Sequence, residues 1–271
     1  MHSLRNLFAQ YPVVSNLILI NVLLLVATWV GESALHVDLV DILGLHYPES
    51  PTFRPYQVVT HLFMHGGLTH LFFNMFALWM FGRILEYEMG SRRLLFYYLF
   101  TGLGAAAIHT LVNFIEFSLL KEQIAALLQD LTPDSLDYFV SKHFAPYHAF
   151  FYEQIIAPWS ANPHNTAYAT QAYEALQQVL QIRMSIPTVG ASGAVFGILI
   201  AFAMLFPNVT LYLLIPPIPI KAKWFVLIYA GIEVYLGFTQ PGSNIAHFAH
   251  IGGMIFGFFL ILYWKHHARQ H

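Results

Sequence analysis

Long apolar runs with almost no charged residues dominate this 271-residue sequence. A helix that crosses a bilayer needs roughly 20 mainly apolar residues, and six segments approach this size. The fifth contains one carboxylate, Glu233, and the other five contain no Asp, Glu, Lys or Arg. Because open strands leave backbone groups unpaired in lipid, all six are predicted to be helices. The predicted spans are 11–30, 60–82, 94–115, 189–206, 224–238 and 245–264.

The composition excludes several other classes of protein. Hydrophobic residues make up 57% of the chain and charged residues 10%, whereas soluble domains average about 25% charged residues. The low charge excludes a disordered chain, and the absence of a basic excess excludes a nucleic-acid partner. Cysteine is absent, which excludes disulfides, a thiolate nucleophile and cysteine metal ligands. The sequence therefore predicts an all-α polytopic membrane protein in contact with the lipid bilayer.

The distribution of lysine and arginine predicts the orientation of the spans. Cytoplasmic connections collect these residues, and eight of the twelve fall on one side if six spans alternate. Both termini are therefore predicted to be cytoplasmic. The first apolar run has no small-residue cleavage pattern, so it is predicted to be a retained span and not a signal peptide. The eight residues are Arg5, Arg83, Arg92, Arg93, Lys221, Lys223, Lys265 and Arg269.

The connection 116–187 is predicted to be an extracytoplasmic insertion within a single membrane domain, 1–271. It contains seven acidic and three basic residues, which is typical of a solvated or interfacial segment. Apolar residues recur at helical spacing over 116–131 and 170–184, so two amphipathic helices are expected there.

Polar residues inside the predicted spans are functional candidates, because burying them in lipid is costly. His70 and Asn74 are four residues apart and share one face of a helix. Ser192 lies in the first turn of span 4, where unpaired backbone N–H groups converge. The polar segments are His61 to Asn74 in span 2, Gly190 to Gly197 in span 4 and Ala246 to Gly253 in span 6.

Small-xxx-small pairs in spans 4 and 6 allow two helix backbones to approach closely. If the spans pack through these pairs, Ser192 and His250 come within hydrogen-bonding distance. This arrangement provides a serine nucleophile, a histidine base and nearby donors for an oxyanion. It does not require a carboxylate. By the predicted orientation, spans 2, 4 and 6 all run from the outer to the inner side, so the four candidate side chains lie at a similar depth. They are His70, Asn74, Ser192 and His250. The pairs are Gly193 with Gly197 and Gly253 with Gly257.

Each of these features also has a structural, non-catalytic interpretation. Serine and glycine commonly serve packing in membrane helices, and a His/Asn pair can join helices by hydrogen bonds. The joint occurrence on three helices at one depth favours catalysis. His61, His65 and His70 lack the His-Glu-x-x-His spacing, so neither a metal nor a cofactor is predicted. For Glu233, pairing with a polar group and a water-exposed gate between spans 2 and 5 remain equal alternatives.

The chain resembles the rhomboid family of intramembrane serine proteases. The resemblance rests on motifs in three spans, in the family's order. They are His65 with His70-Leu-Phe-Phe-Asn74, Gly82-Arg-Ile-Leu-Glu86, Gly190-Ala-Ser192-Gly193, and Ala249-His250-Ile-Gly-Gly253 with Gly257.

The resemblance implies a six-helix bundle around a water-filled cavity that opens to the outer side. It implies Ser192 as the nucleophile, His250 as the general base and then acid, and His70, Asn74 and the Ser192 N–H as the oxyanion hole. The implied partners are transmembrane protein substrates, cut after a small residue. The six-span form resembles an enzyme of the bacterial plasma membrane.

Two departures limit this resemblance, and one further position matches it. Phe53-Arg54 stands where the family usually has Trp-Arg. The connection 116–187 is unusually long for the family, and we expect it to shape substrate access. Phe196 matches a position where an aromatic ring stacks on the catalytic histidine, although a core aromatic is an equal alternative.

Two other functions are considered. One is a non-catalytic rhomboid-like protein that binds client transmembrane helices, but such relatives typically lack the serine, the histidine or both. The other is a channel or transporter with a histidine-lined path. Such a protein does not need a serine at the start of a helix.

Overall fold

The computed structural model describes residues 8–212, 218–239 and 246–268, which form thirteen α-helices and one antiparallel hairpin. In the hairpin, Leu211 of β1 pairs with Ile220 of β2. The helices are α1 (Pro12–Val30), α2 (Leu39–Leu43), α3 (Gln57–Thr60), α4 (Leu68–Ala77), α5 (Arg83–Met89), α6 (Ser91–Leu127), α7 (Pro133–His143), α8 (His148–Phe151), α9 (Ala157–Ala161), α10 (Ala167–Met184), α11 (Ser192–Leu205), α12 (Ala222–Thr239) and α13 (His247–Ala268). The strands are β1 (Thr210–Tyr212) and β2 (Pro219–Lys221).

Five helical stretches are long and apolar enough to cross a membrane, which confirms the prediction of an all-α polytopic membrane protein. Their outer surfaces carry large apolar side chains. Leu23, Trp29 and Phe259 are 56%, 47% and 63% exposed, as expected for side chains that lipid covers. The stretches are Pro12–Leu35, Leu68–Met89, Ser91–Asp130, Ala222–Thr239 and His247–His267.

The fourth predicted span, 189–206, is a shorter helix than expected. Its helical part, α11, has 14 residues and is about 21 Å long at 1.5 Å per residue. The helix begins only at Ser192, because Gly190 adopts a φ of +134° that breaks the helical path. Ten residues of α11 are buried. It is therefore surrounded by protein and does not need the length of a lipid-facing span.

The second predicted span, 60–82, is not one continuous helix. After α3, the chain makes a 3-10 turn over His61–Phe63 and leaves the helical path until α4 starts at Leu68. Gly67 has a φ of +153°, a conformation that glycine adopts readily. Beyond α4, a π-helical turn leads directly into α5. His61 and His65 consequently precede the spanning helix.

The chain divides into two compact units, and the first includes described residues from 1–45, 52–112 and 187–271. Within it, α11 packs closely against α13. A methyl group at Gly253 would overlap the carbonyl oxygen of Gly193. A methyl group at Gly257 would lie 3.2 Å from the Cα atom of Gly197. The two small-xxx-small pairs therefore face each other.

The carboxylate of Glu86 fixes the start of α1 within the same unit. Its two oxygens accept hydrogen bonds from the N–H groups of Val13 and Val14, each at 2.9 Å. The hydroxyl of Ser91 donates a third bond at 2.7 Å. Because the first N–H groups of a helix have no partner within it, this buried acid supplies the missing acceptors.

The second unit, 46–51 and 113–186, has an apolar core of its own. Leu136, Phe144, Phe151 and Leu176 are at most 1% exposed. One expected amphipathic helix, 170–184, corresponds to α10. The other, 116–131, is not separate, because α6 continues to Leu127 without a break. The expectation that this region shapes substrate access stays a prediction.

We expect Gly253→Ala to lower the free energy of unfolding by about 1–3 kcal/mol, the usual cost of overpacking. The added methyl meets backbone that cannot rotate away. Gly231→Ala on α12 is the matched control, since its methyl would meet nothing within 4 Å. Denaturant titration of the detergent-solubilised protein measures both. Equal stabilities of the two variants would contradict the described contact between α11 and α13.

Candidate active site

Ser192 occupies the first residue of α11, as the sequence predicts for a residue in the first turn. The N–H group of Gly190 donates to the carbonyl of His61 at 2.9 Å, which holds the chain in place just before the helix. Ser192 is partly exposed, whereas Gly193 and Ala194 are buried. The N–H groups at this helix end and the helix dipole favour negative charge beside the hydroxyl.

His250 lies on α13 within hydrogen-bonding distance of Ser192. The distance from its Nε2 to Ser192 Oγ is 2.9 Å. The ring of Phe196 stacks on the imidazole with 4.2 Å between centroids and 10° between planes. Of the two interpretations of Phe196, the structure shows the stacked ring. His250 is only 8% exposed, so its orientation is fixed by packing as well as by hydrogen bonds.

Glu233, on α12, contacts two histidines of α13. Its Oε2 lies 2.7 Å from Nδ1 of His247 and 2.9 Å from Nδ1 of His250. Of the two alternatives left open by the sequence, the structure shows pairing with polar groups. Sequence reasoning missed His247, although two signals pointed to it. Glu233 is the one acid in a predicted span, and His247 lies one helical turn before His250.

These contacts define the protonation pattern. An ionised carboxylate only accepts hydrogen bonds, so both Nδ1 atoms carry hydrogen when Glu233 is charged. A neutral His250 then has its lone pair on Nε2, directed at the Ser192 hydroxyl. This is the tautomer that a general base for Ser192 requires.

His70 also lies close to Gly190, next to Ser192. Its Nδ1 accepts a hydrogen bond from the N–H of Gly66 at 3.4 Å. In a neutral imidazole the hydrogen is then on Nε2. A methyl carbon placed on Gly190 would lie 3.1 Å from His70 Nε2 and 3.4 Å from Ser192 Oγ. The same carbon would lie 2.9 Å from Cε1 of His70, which is closer than side chains approach, so the bare glycine lets the His70 ring and the Ser192 hydroxyl both lie against this stretch of backbone.

Asn74 is buried beside this region, but its amide makes a local bond. Its Nδ2 donates to the carbonyl of His70 at 3.0 Å. That bond uses one of the two amide hydrogens. The structure thus brings Ser192, His250 and His70 to one place, and it shows Asn74 holding the His70 turn.

His61 and His65 precede α4, whereas His70 lies within it. Desolvation lowers the pKa of each to about 4, so both are neutral near pH 7. The edge of His65 packs on His70 with 5.0 Å between centroids, which supports the orientation of that ring.

Among the described residues, Glu233, His247 and His250 form a group that has the donor atoms for a metal, all within 4.8 Å of one another. The distances of 2.7 and 2.9 Å are those of hydrogen bonds. A metal would have to replace the hydrogen on each Nδ1 and break both bonds. As arranged, the group is a hydrogen-bonded acid flanked by two imidazoles.

Comparisons with known proteins agree with the geometry. The model of the Rhomboid domain matches residues 52–117 and 159–266. A protein named rhomboid-like protein 11, chloroplastic, from Arabidopsis thaliana is 46% identical over 57 residues. That match covers 21% of this chain and 20% of the relative, so the chain aligns with about a fifth of that protein's length. No solved structure matches significantly.

We expect Phe196→Leu to slow the reaction of Ser192 with a fluorophosphonate probe by about tenfold, because the leucine loses the stacked contact that orients His250. Phe202→Leu is the matched control, since Phe202 is also buried on α11 but its ring makes an edge contact with Phe81 and a tilted contact with Phe206. Both substitutions are expected to cost about 1–3 kcal/mol of stability. Labelling rates of the folded proteins measure the difference. Equal rates would contradict an orienting role for Phe196.

Proposed function

Because the chain belongs to the rhomboid family, we propose that it is an intramembrane serine endopeptidase. It hydrolyses peptide bonds in or near the transmembrane segments of other membrane proteins. The observation that carries the proposal is the 2.9 Å hydrogen bond between Ser192 Oγ and His250 Nε2. The partial exposure of Ser192 supports access for a substrate carbonyl and for water.

The reaction proceeds in two steps on this pair. His250 accepts the Ser192 proton at Nε2 while Oγ attacks the scissile carbonyl, and the imidazolium then gives that proton to the leaving amine. The substrate acyl group is now an ester on Oγ. His250 next removes a proton from water, which attacks the ester, and the proton returns to Oγ as the acid product leaves.

Negative charge that develops on the carbonyl oxygen needs donors already in place. His70 Nε2 and the N–H of Ser192 are the proposed donors, since His70 Nε2 and Ser192 Oγ both lie close to Gly190. Asn74 completes the proposed oxyanion hole with the amide hydrogen that does not bond His70. The start of α11 adds the favourable end of a helix dipole.

The proposed environment follows from the spans and the charges. The chain is an integral membrane protein, and the lysine and arginine distribution supports cytoplasmic termini with a site that opens to the outer side. The bacterial plasma membrane is the proposed location, on the resemblance alone. Transmembrane proteins are the proposed substrates.

We expect purified protein in liposomes to cleave a single-span test substrate, and Ser192→Ala to lower the rate at least about a thousandfold, as loss of a serine nucleophile does. Ser33→Ala is the control, since Ser33 is an exposed serine whose hydroxyl bonds only Trp29 O at 2.7 Å. Gel analysis of the products measures cleavage. Undiminished cleavage by Ser192→Ala would overturn the proposal. Binding of the substrate without cleavage by the native protein would overturn it in favour of a client-binding protein.

We expect Asn74→Ala to lower kcat by about 10²–10³-fold with little change in KM, because an oxyanion donor acts mainly in the transition state. Asn21→Ala is the matched control. Asn21 is also buried, and its Nδ2 donates to the carbonyl four residues earlier, at 2.7 Å. Initial rates at several substrate concentrations separate kcat from KM. An equal kcat in both variants would exclude Asn74 from the oxyanion hole.

A further inference from the structure

The pair Ser192 and His250 is extended by a carboxylate that the proposed mechanism does not use. Glu233 is 4% exposed and His247 is equally buried. One oxygen of Glu233 accepts from both imidazoles, at 2.7 and 2.9 Å. These bonds link α12 to the first turn of α13, where His250 lies.

The local packing holds this acid against α13. A methyl group on Gly237, one turn after Glu233, would lie 3.2 Å from the ring of Phe248 and 3.5 Å from Cβ of His247. The absence of a side chain at Gly237 therefore allows α12 to lie close to α13. This approach brings the Glu233 carboxylate to the Nδ1 side of His250.

We propose that Glu233 is a positioning residue that makes the Ser192 and His250 pair a serine–histidine–glutamate triad, and that His247 holds its carboxylate in place. The inference rests on the proposed proteolytic function. The chain order Ser192, Glu233, His250 is one of the orders in which such triads are built. A dyad that requires no carboxylate, as the sequence suggested, is thus incomplete for this chain.

The carboxylate acts on His250 in two ways. It keeps the hydrogen on Nδ1, which leaves Nε2 free to accept the serine proton. It also stabilises the imidazolium that forms during the attack, and a buried site strengthens that attraction because little water screens it.

His247 has a separate part in this arrangement. A buried carboxylate is costly unless its oxygens are hydrogen-bonded. The Nδ1–H of His247 supplies the shorter of the two described bonds to Oε2, so it restrains the oxygen that faces His250. His247 Nε2 is buried without a described hydrogen-bond partner, which fits a neutral ring with no hydrogen on that atom.

Glu233→Gln tests the proposal, because it keeps the size of the side chain and removes its charge. The new amide either accepts from His250 weakly or donates to its Nδ1 and favours the wrong tautomer. We expect kcat to fall by about 10²–10⁴-fold, with KM changed less than threefold. The assay is the liposome cleavage assay with the single-span substrate.

Glu233→Asp separates a positioning role from a structural one. Aspartate is shorter than glutamate and fits this site less well than glutamine, but it retains the negative charge. We therefore expect the kcat of Glu233→Asp to exceed that of Glu233→Gln at least tenfold. A merely structural hydrogen-bonding role predicts the reverse order, since glutamine is the closer match in shape. Glu233→Gln at least as active as Glu233→Asp would overturn the proposal.

Glu86→Gln is the matched control for loss of a buried, multiply bonded acid. Glu86 is 3% exposed and accepts from backbone N–H groups at the start of α1. Its substitution is expected to lower stability but leave kcat of the folded protein within threefold of native. An equal fall of kcat in both glutamine variants would overturn a specific role for Glu233.

The second test addresses His247. We expect His247→Gln to lower kcat about tenfold, as loss of a group that orients a catalytic side chain does. Combined with Glu233→Gln, it should add little, since both act through His250. Fully additive losses would contradict the proposed linkage.

Failure of this inference is distinguishable from failure of the proposed function. Cleavage that depends on Ser192 but has a native kcat in Glu233→Gln overturns the triad and leaves the protease intact. Cleavage that persists in Ser192→Ala overturns the proposed function and the triad together.

Discussion

The close contact of α11 with α13 is the constraint on which the site depends. Lipid offers no hydrophobic drive for two apolar helices to associate, so packing of small residues has to hold them together. Gly193 directly follows Ser192, and Gly253 lies one turn after His250. This contact brings the starts of the two helices together, and the packing and hydrogen bonds of the side chains then place the hydroxyl and the imidazole 2.9 Å apart. The glycines thus position the two side chains through geometry, although neither has a functional group.

The buried acids show how a membrane protein retains charge. Glu86 and Glu233 are both almost fully buried, and each carboxylate accepts more than one hydrogen bond, which offsets the cost of leaving water. Their partners differ in chemistry. The backbone N–H groups that bind Glu86 cannot change charge, so that acid only fixes α1. The imidazoles that bind Glu233 can gain a proton, and the proposed triad uses this property at His250.

The sequence predicted the elements better than their contacts. Charge-free runs located the spanning helices, and the small-xxx-small pairs predicted the approach of Ser192 to His250, while the catalytic roles of these two residues stay predictions. The sequence does not reveal the break before α4, because Gly66 and Gly67 lie within a charge-free run that is long enough for one span. The pairing of Glu233 with His247 was missed for another reason. Hydrophobic periodicity predicts which face of a single helix is buried. It does not predict how α12 is rotated relative to α13.

Irregular backbone surrounds the proposed nucleophile, and its polar groups need partners. Lipid tolerates such backbone only where protein or water covers it. Here the N–H of Gly190 bonds the carbonyl of His61, and the N–H of Gly66 bonds the ring of His70. Each bond satisfies one donor at a break, and the bond to His70 Nδ1 favours the tautomer with hydrogen on Nε2 that the proposed oxyanion hole requires. The breaks in α-helix therefore belong to the site, because the groups that stabilise them also orient its donors.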